Sequence, residues 1–305
     1  MRRFLTLVSG VAVLGVAGLV VVIAWPVGSA VTPITTEGDV ARGAYLARAS
    51  GCIACHTNFE AGGAPLAGGA PLETPFGTFY PPNLTTDPKH GMGDWTAEQF
   101  AKAVRQGIGP DGTPYYPSFP YTFYADFSDQ DIADLWAAFQ TVPPVDEPAP
   151  ENDVSFPFDQ RWGLKLWRAA FFYDPDTEPV EGRSGPWNRG RELVRGAAHC
   201  GACHTPRNLA GGRDIGASFA GNAQLPGGSK APAIRPKDLA KNDWTVSNLA
   251  YALQTGITPS GDAFGGSMAE VVREGTRFLT PADREAMALF LLNKDTVEAE
   301  NPASN

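Results

Sequence analysis

Cys52-Ile-Ala-Cys55-His56 and Cys200-Gly-Ala-Cys203-His204 contain every cysteine of the 305-residue chain. In both, the spacing is two residues and a histidine follows at once. C-x-x-C-H is the attachment pattern for a c-type haem: the two thiols form thioethers with the vinyl groups, and the next residue reaches the iron as proximal ligand. The competing readings are a structural disulfide pair, a four-cysteine zinc site and thioredoxin-like redox motifs. None of these requires the histidine twice, so the pattern implies two covalently bound haem c groups, with His56 and His204 on the irons.

Working outward, the two motifs lie in an internal repeat. Arg42-Gly43 stands ten residues before Cys52 and Arg189-Gly190 eleven before Cys200, each expected to open a short helix that ends at the motif. Trp95 follows His56 by 39 and Trp244 follows His204 by 40, and both tryptophans precede a glycine, Gly107 or Gly256, by 12. Each half closes on a helical pattern. After Ser128, residues Ile132, Leu135, Trp136 and Phe139 form one apolar stripe; after Thr280, Ala286, Met287, Phe290 and Leu291 form another. The order of a helix into the motif, a long loop and a closing helix is that of a small cytochrome c domain, in which the haem serves as the centre of a modest core.

The fold class is therefore expected to be all-α: two tandem cytochrome c domains behind an N-terminal transmembrane helix. The divisions are an anchor over 1–30, domain one over 37–143, a connector over 144–183, domain two over 184–294 and a tail over 295–305. The anchor reading rests on Phe4 to Trp25, 22 uncharged positions after Arg2 and Arg3. As a helix they span about 33 Å, enough for a bilayer core. A cleaved signal peptide is the alternative, because Gly28, Ser29 and Ala30 offer small residues near a cleavage point. Arg2 and Arg3 would stay in the cytoplasm, which puts the body in the periplasm as a single-pass inner-membrane protein. In the connector, Phe156 to Tyr173 is crowded with aromatic residues. It reads first as packing that clamps the domains, and second as a face for a membrane surface or partner. Composition agrees with a loop-rich globular chain: 43% apolar and 19% charged residues, 34 Gly and 27 Pro. A net charge of −9 argues against a nucleic-acid partner.

The stretches Gly43-Ala-Tyr-Leu-Ala47, Thr74-Pro-Phe-Gly-Thr-Phe-Tyr80, Pro82-Asn-Leu-Thr85, Trp187-Asn-Arg-Gly190 and His199-Cys-Gly-Ala-Cys-His-Thr-Pro-Arg-Asn208 carry a more specific signal. Through them the chain, from about Gly38 to Leu292, resembles the membrane-anchored multihaem cytochrome c subunits of bacterial periplasmic dehydrogenases that oxidise alcohols, gluconate and related sugars or aldehydes. Such subunits commonly carry three haem domains, whereas this chain has two motifs and an N-terminal apolar segment. The resemblance implies an electron-transfer subunit that does no substrate chemistry itself. Its donor would be a periplasmic or membrane-bound dehydrogenase, and its acceptor a quinone, a soluble cytochrome or a terminal oxidase.

The resemblance also suggests further site residues. Met268, in Gly265-Gly-Ser-Met-Ala269, matches the family's distal ligand position and is assigned to haem two; a thioether ligand favours the reduced iron. The corresponding position in domain one, 24 residues after Trp95, is Phe119, which cannot bind iron. His90 and Met92 are the remaining nearby donors for haem one. Pro82 and Pro232 resemble the proline whose carbonyl orients the proximal imidazole. Trp95, Trp244 and Arg207 are candidates for the haem propionates. The open distal side of haem one keeps two other readings in play, a haem enzyme of peroxidase or thiosulfate-oxidising type and a gas sensor.

Overall fold

A computed structural model describes residues 2–225 and 228–297 and, for residues 2, 3 and 5–13, the backbone alone. Helix α1 (Arg2–Ala24) leads into the first half of the chain, which holds α2 (Val40–Ala49), α3 (Cys52–Cys55), strands β1 (Leu72–Thr74) and β2 (Gly77–Phe79), α4 (Ala97–Gln106) and α5 (Asp129–Phe139). The connector contributes β3 (Asp153–Val154) and α6 (Gly163–Phe171). The second half holds α7 (Gly185–Arg195), α8 (Gly201–His204), α9 (Pro236–Ala240), α10 (Val246–Thr255), α11 (Gly266–Glu274) and α12 (Pro281–Leu292).

Caps set the helix limits. Thr96 with Gln99 and Thr245 with Asn248 form capping boxes at the starts of α4 and α10, and Gly107 and Gly256 end them with φ of +60° and +79°. The equal Trp-to-Gly spacing in the two halves is thus the length of one capped helix. Ser128 and Thr280 cap α5 and α12, where the expected stripes are found: Ile132, Leu135, Phe139, Ala286, Met287 and Leu291 are all buried. Helix α7 differs from expectation. Ser184 caps it and Pro186 opens its first turn, so it starts ahead of Arg189 and stops at Arg195, short of the motif.

Within each half, the opening helix crosses the closing helix at a glycine. A Cβ on Gly43 would lie 1.8 Å from the Asp134 carbonyl oxygen, and one on Gly190 would lie 1.8 Å from that of Ala286. The preceding arginine then reaches the first two turns of the closing helix. Arg42 lies 3.6 Å from Asp131 and 3.1 Å from the buried Asp134, and Arg189 lies 2.9 Å from Asp283.

The all-α expectation needs one correction: the fold is mostly helical with a small sheet. β1, β2 and β3 form an antiparallel sheet in that order, with Leu72 opposite Phe79 and Gly77 opposite Val154. Strands of two or three residues are too short to show alternation in a sequence. Gly77 (φ +133°) is required there, since a Cβ would meet the Asp153 carbonyl oxygen at 2.2 Å.

The two halves dock through α2. Thr280 N–H donates to the Tyr45 hydroxyl at 3.1 Å, that hydroxyl donates to Asp283, and Arg48 bonds Glu274 and lies 4.3 Å over the Phe278 ring. The aromatic connector clamps both halves, the first of its two expected roles. Phe172 stacks on Tyr121 of the first half and Trp167 Nε1–H donates to Ala210 O of the second. Phe156 and Leu166 nevertheless stay exposed.

The expected anchor falls on α1, where the side chains of 5–13 lie outside the described residues; among the described residues no helix is long and apolar enough to cross a membrane. A test of the crossings is direct. Gly190→Ala should destabilise the haem-loaded protein by about 2–3 kcal/mol, since a backbone oxygen stands where the methyl must go. An unchanged midpoint in guanidinium unfolding would show that the helices part at no cost.

Candidate functional site

Each motif is one turn of helix: α3 spans Cys52–Cys55, and Gly201–His204 of α8 follows Cys200. No disulfide joins the four cysteines, and among the described residues no group of three or more His, Cys, Asp or Glu could hold a bare metal ion. Burial pushes the thiols of Cys52 and Cys200 up to about 12 and that of Cys55 to about 11, so before attachment they are neutral.

The histidines are held alike. His56 Nδ1 lies 2.7 Å from Pro82 O and His204 Nδ1 lies 2.7 Å from Pro232 O. A carbonyl only accepts, so Nδ1 carries the proton and Nε2 keeps the lone pair that an iron needs. Burial lowers the pKa of both rings, to about 4 for His56, and the neutral imidazole is the ligating form.

Around these turns the wiring repeats in detail. Thr57 Oγ1 accepts from Leu66 N–H at 3.0 Å and Thr205 Oγ1 from Phe219 N–H at 3.2 Å; Leu66 and Phe219 share φ values of +63° and +61°. Leu66 O and Phe219 O then accept from Leu84 and Ile234, two residues past the key prolines. Sequence reasoning passed over Thr57 and Thr205. Their signal was in plain view, since both motifs extend identically to Cys-His-Thr.

Cys200, Trp244, Ile234 and Met268 converge on the core of the second half, and Cys52, Ile53, Trp95 and Leu84 on that of the first. Paired thiols, a histidine with its Nε2 free and flanking partly buried apolar groups fit a covalent haem in each half. Met268 lies in the first turn of α11. Trp244 stacks on Phe264 at 6.3 Å, and among the described residues neither Trp95 nor Trp244 has a protein acceptor for its indole N–H. Arg207 donates to Gly211 O at 2.7 Å and Ala202 O at 3.1 Å, so its guanidinium is held by backbone. It lines a small cavity with Phe119, Trp167, Phe171 and Arg213, the last unanticipated.

In the first half, His90 faces Asp146 at 3.5 Å, and Met92 is buried in the core. The Phe119 ring lies 5.9 Å from that of Tyr124, whose hydroxyl is pushed by burial well above the usual tyrosine range.

The sequence is similar to those of known proteins. Residues 40–139 match the Cytochrome c family. A "Diheme cytochrome c-type" protein of Cereibacter sphaeroides is 42% identical over 86% of this chain and 88% of its own length. The cytochrome c subunit of the alcohol dehydrogenase (quinone) of Gluconobacter oxydans is 38% identical over 88% of this chain, and the fructose dehydrogenase cytochrome subunit of Gluconobacter japonicus is 39% identical over 83%. The chain spans 58% and 52%, respectively, of those two subunits.

The first half's distal side is open to test. Phe119→Met should add a sulfur-to-iron charge-transfer absorption, while His90→Ala and Met92→Leu leave the spectrum as it was. Loss of a ligand signature in either of the last two would instead make that residue the ligand.

Proposed function

The chain belongs to the dihaem c-type cytochromes, and on that premise we propose that it relays single electrons from a periplasmic or membrane-bound dehydrogenase to the respiratory chain. It is an electron-transfer protein with two covalently bound haem c groups. When bound, each supplies an iron that cycles between ferrous and ferric. The observation that carries the reading is the double histidine lock, with both Nδ1 atoms 2.7 Å from a proline carbonyl. An imidazole fixed in tautomer and angle changes little between oxidation states, which keeps reorganisation small.

In this reading 37–143 and 184–294 are the two haem modules and 144–183 joins them. Cys52, Cys55, Cys200 and Cys203 make the thioethers, His56 and His204 are the proximal ligands, and Met268 is the distal ligand of haem two. Pro82 and Pro232 orient the imidazoles. Trp95, Trp244 and Arg207 serve the propionates. The cytochrome subunits of the alcohol, fructose and gluconate dehydrogenases among the relatives support a dehydrogenase donor. A quinone, a soluble cytochrome or a terminal oxidase would take the electrons. The same relatives disfavour a peroxidase, thiosulfate-oxidising enzyme or gas sensor. Membrane attachment by α1, with the modules in the periplasm, is supported by the uncharged run from Phe4 to Trp25.

Met268→Ala should lower the potential of one haem only, with the covalent haem retained; an unchanged redox titration removes Met268 from the site. Deleting residues 1–30 behind a cleavable export signal should release a soluble dihaem protein. If the product still pellets with membranes, α1 is not the sole attachment.

A further inference from the structure

The residue that enters motif one and the residue that enters motif two meet at a single side chain. Tyr124, 3% exposed, donates its hydroxyl proton to Ser50 O at 2.8 Å, two residues before Cys52. The same oxygen lies 3.3 Å from Nδ1 of His199, the residue before Cys200. His199 Nδ1 also lies 2.9 Å from Ala197 O. That carbonyl can only accept, so Nδ1 bears the proton and shares it between Ala197 O and the tyrosine oxygen. One consistent arrangement follows: His199 donates to Tyr124, and Tyr124 donates to Ser50.

Neighbouring contacts hold the two turns together. A Cβ on Gly51 would lie 3.5 Å from His199 Cε1, and one on Gly201 would lie 3.5 Å from the Phe123 ring. Arg213 sits 4.0 Å over that ring and reaches Thr122 at 3.3 Å. On the far side of motif one, α3 packs on α11, the helix that carries Met268. The attachment turn of one module is thus built into the surroundings of the other.

We propose that Tyr124 and His199 are positioning residues that couple the two haems, holding the attachment turns of both modules in fixed register and linking Cys52 to Cys200 through two hydrogen bonds. This rests on the two-haem relay reading. The electron lost by one iron is gained by the other, while Tyr124 and His199 keep their protons and are not oxidised.

The test uses the full chain with both haems attached, in detergent. A fraction of the haem is reduced by a light pulse from a ruthenium photoreductant, and the electron's redistribution between the haems is timed. Tyr124→Phe keeps the ring and loses the hydroxyl; His199→Ala loses the donor. His199→Asn keeps an amide N–H near the Nδ1 position and tolerates the φ of +37° at this residue. Inter-haem transfer should slow severalfold in Tyr124→Phe and His199→Ala and recover in His199→Asn, with both potentials unchanged. Parent-like rates in Tyr124→Phe and His199→Ala overturn the coupling role, even if their melting temperatures fall. Slow transfer that His199→Asn does not restore overturns the hydrogen-bonded route. A parent protein with no inter-haem transfer overturns the relay reading itself.

Discussion

The approach of two helices to within one backbone thickness governs both halves of the molecule. Gly43 against Asp134 and Gly190 against Ala286 leave no room for a methyl group, so the first and last helices of each half touch through main chain. Because that contact is fixed, so is the direction in which the chain leaves the opening helix, and the attachment turn follows within a few residues. In the first half Ser50 ends α2 and Gly51, at φ +66°, turns the chain into α3. In the second half Gly196 ends α7 and His199, at φ +37°, makes the bend. Histidine pays more strain than glycine for such a φ. Its ring, however, gains the contacts to Ala197 and Tyr124 that a glycine could not make.

Two copies of one wiring diagram have diverged where they meet each other and the connector. The proximal side is preserved almost atom for atom, from the threonine after each histidine to the carbonyl of each key proline. The segments that hold Met268 and Phe119 are not. Where the second half has α11 bearing Met268, the first has only a short turn, Tyr121–Phe123, preceded by Phe119. That turn continues into Tyr124, which reaches across to His199. The difference between Phe119 and Met268 and the inter-module contact occur on corresponding stretches of chain.

Much of this was legible in the sequence because it is local. The Cys-x-x-Cys-His turns, the caps at Ser128 and Thr280 and the Trp-to-Gly spacing each depend on residues within one helix length, and the structure repeats them. The proline carbonyls were legible only through resemblance, since nothing in residues 82 or 232 alone directs an oxygen at a histidine 26 or 28 positions earlier. The sheet escaped notice because its strands are shorter than the period that would reveal them. Tyr124 and His199 escaped because their contact spans 75 residues and joins the two modules. Arg207 has the right residue type for an anion, and the loop carbonyls that hold its guanidinium, Gly211 O and Ala202 O, could not be read from the motif.

The connector shows how the halves are kept in one orientation. Leu164 is buried with Phe79 and Tyr116 of the first half, while the Phe171 ring lies where a Cβ on Gly212 would approach to 2.5 Å, in the second. On its outer side Lys165 Nζ donates to Ile23 O at 2.5 Å and Trp25 O at 2.7 Å, the carbonyls at the end of α1. A cation there satisfies acceptors that a helix leaves unpaired and opposes the negative end of its dipole. Three parts of the chain, α1 and both modules, therefore converge on nine residues of α6. Helix α6 is thus the element through which the end of α1 and the two halves keep one orientation relative to each other.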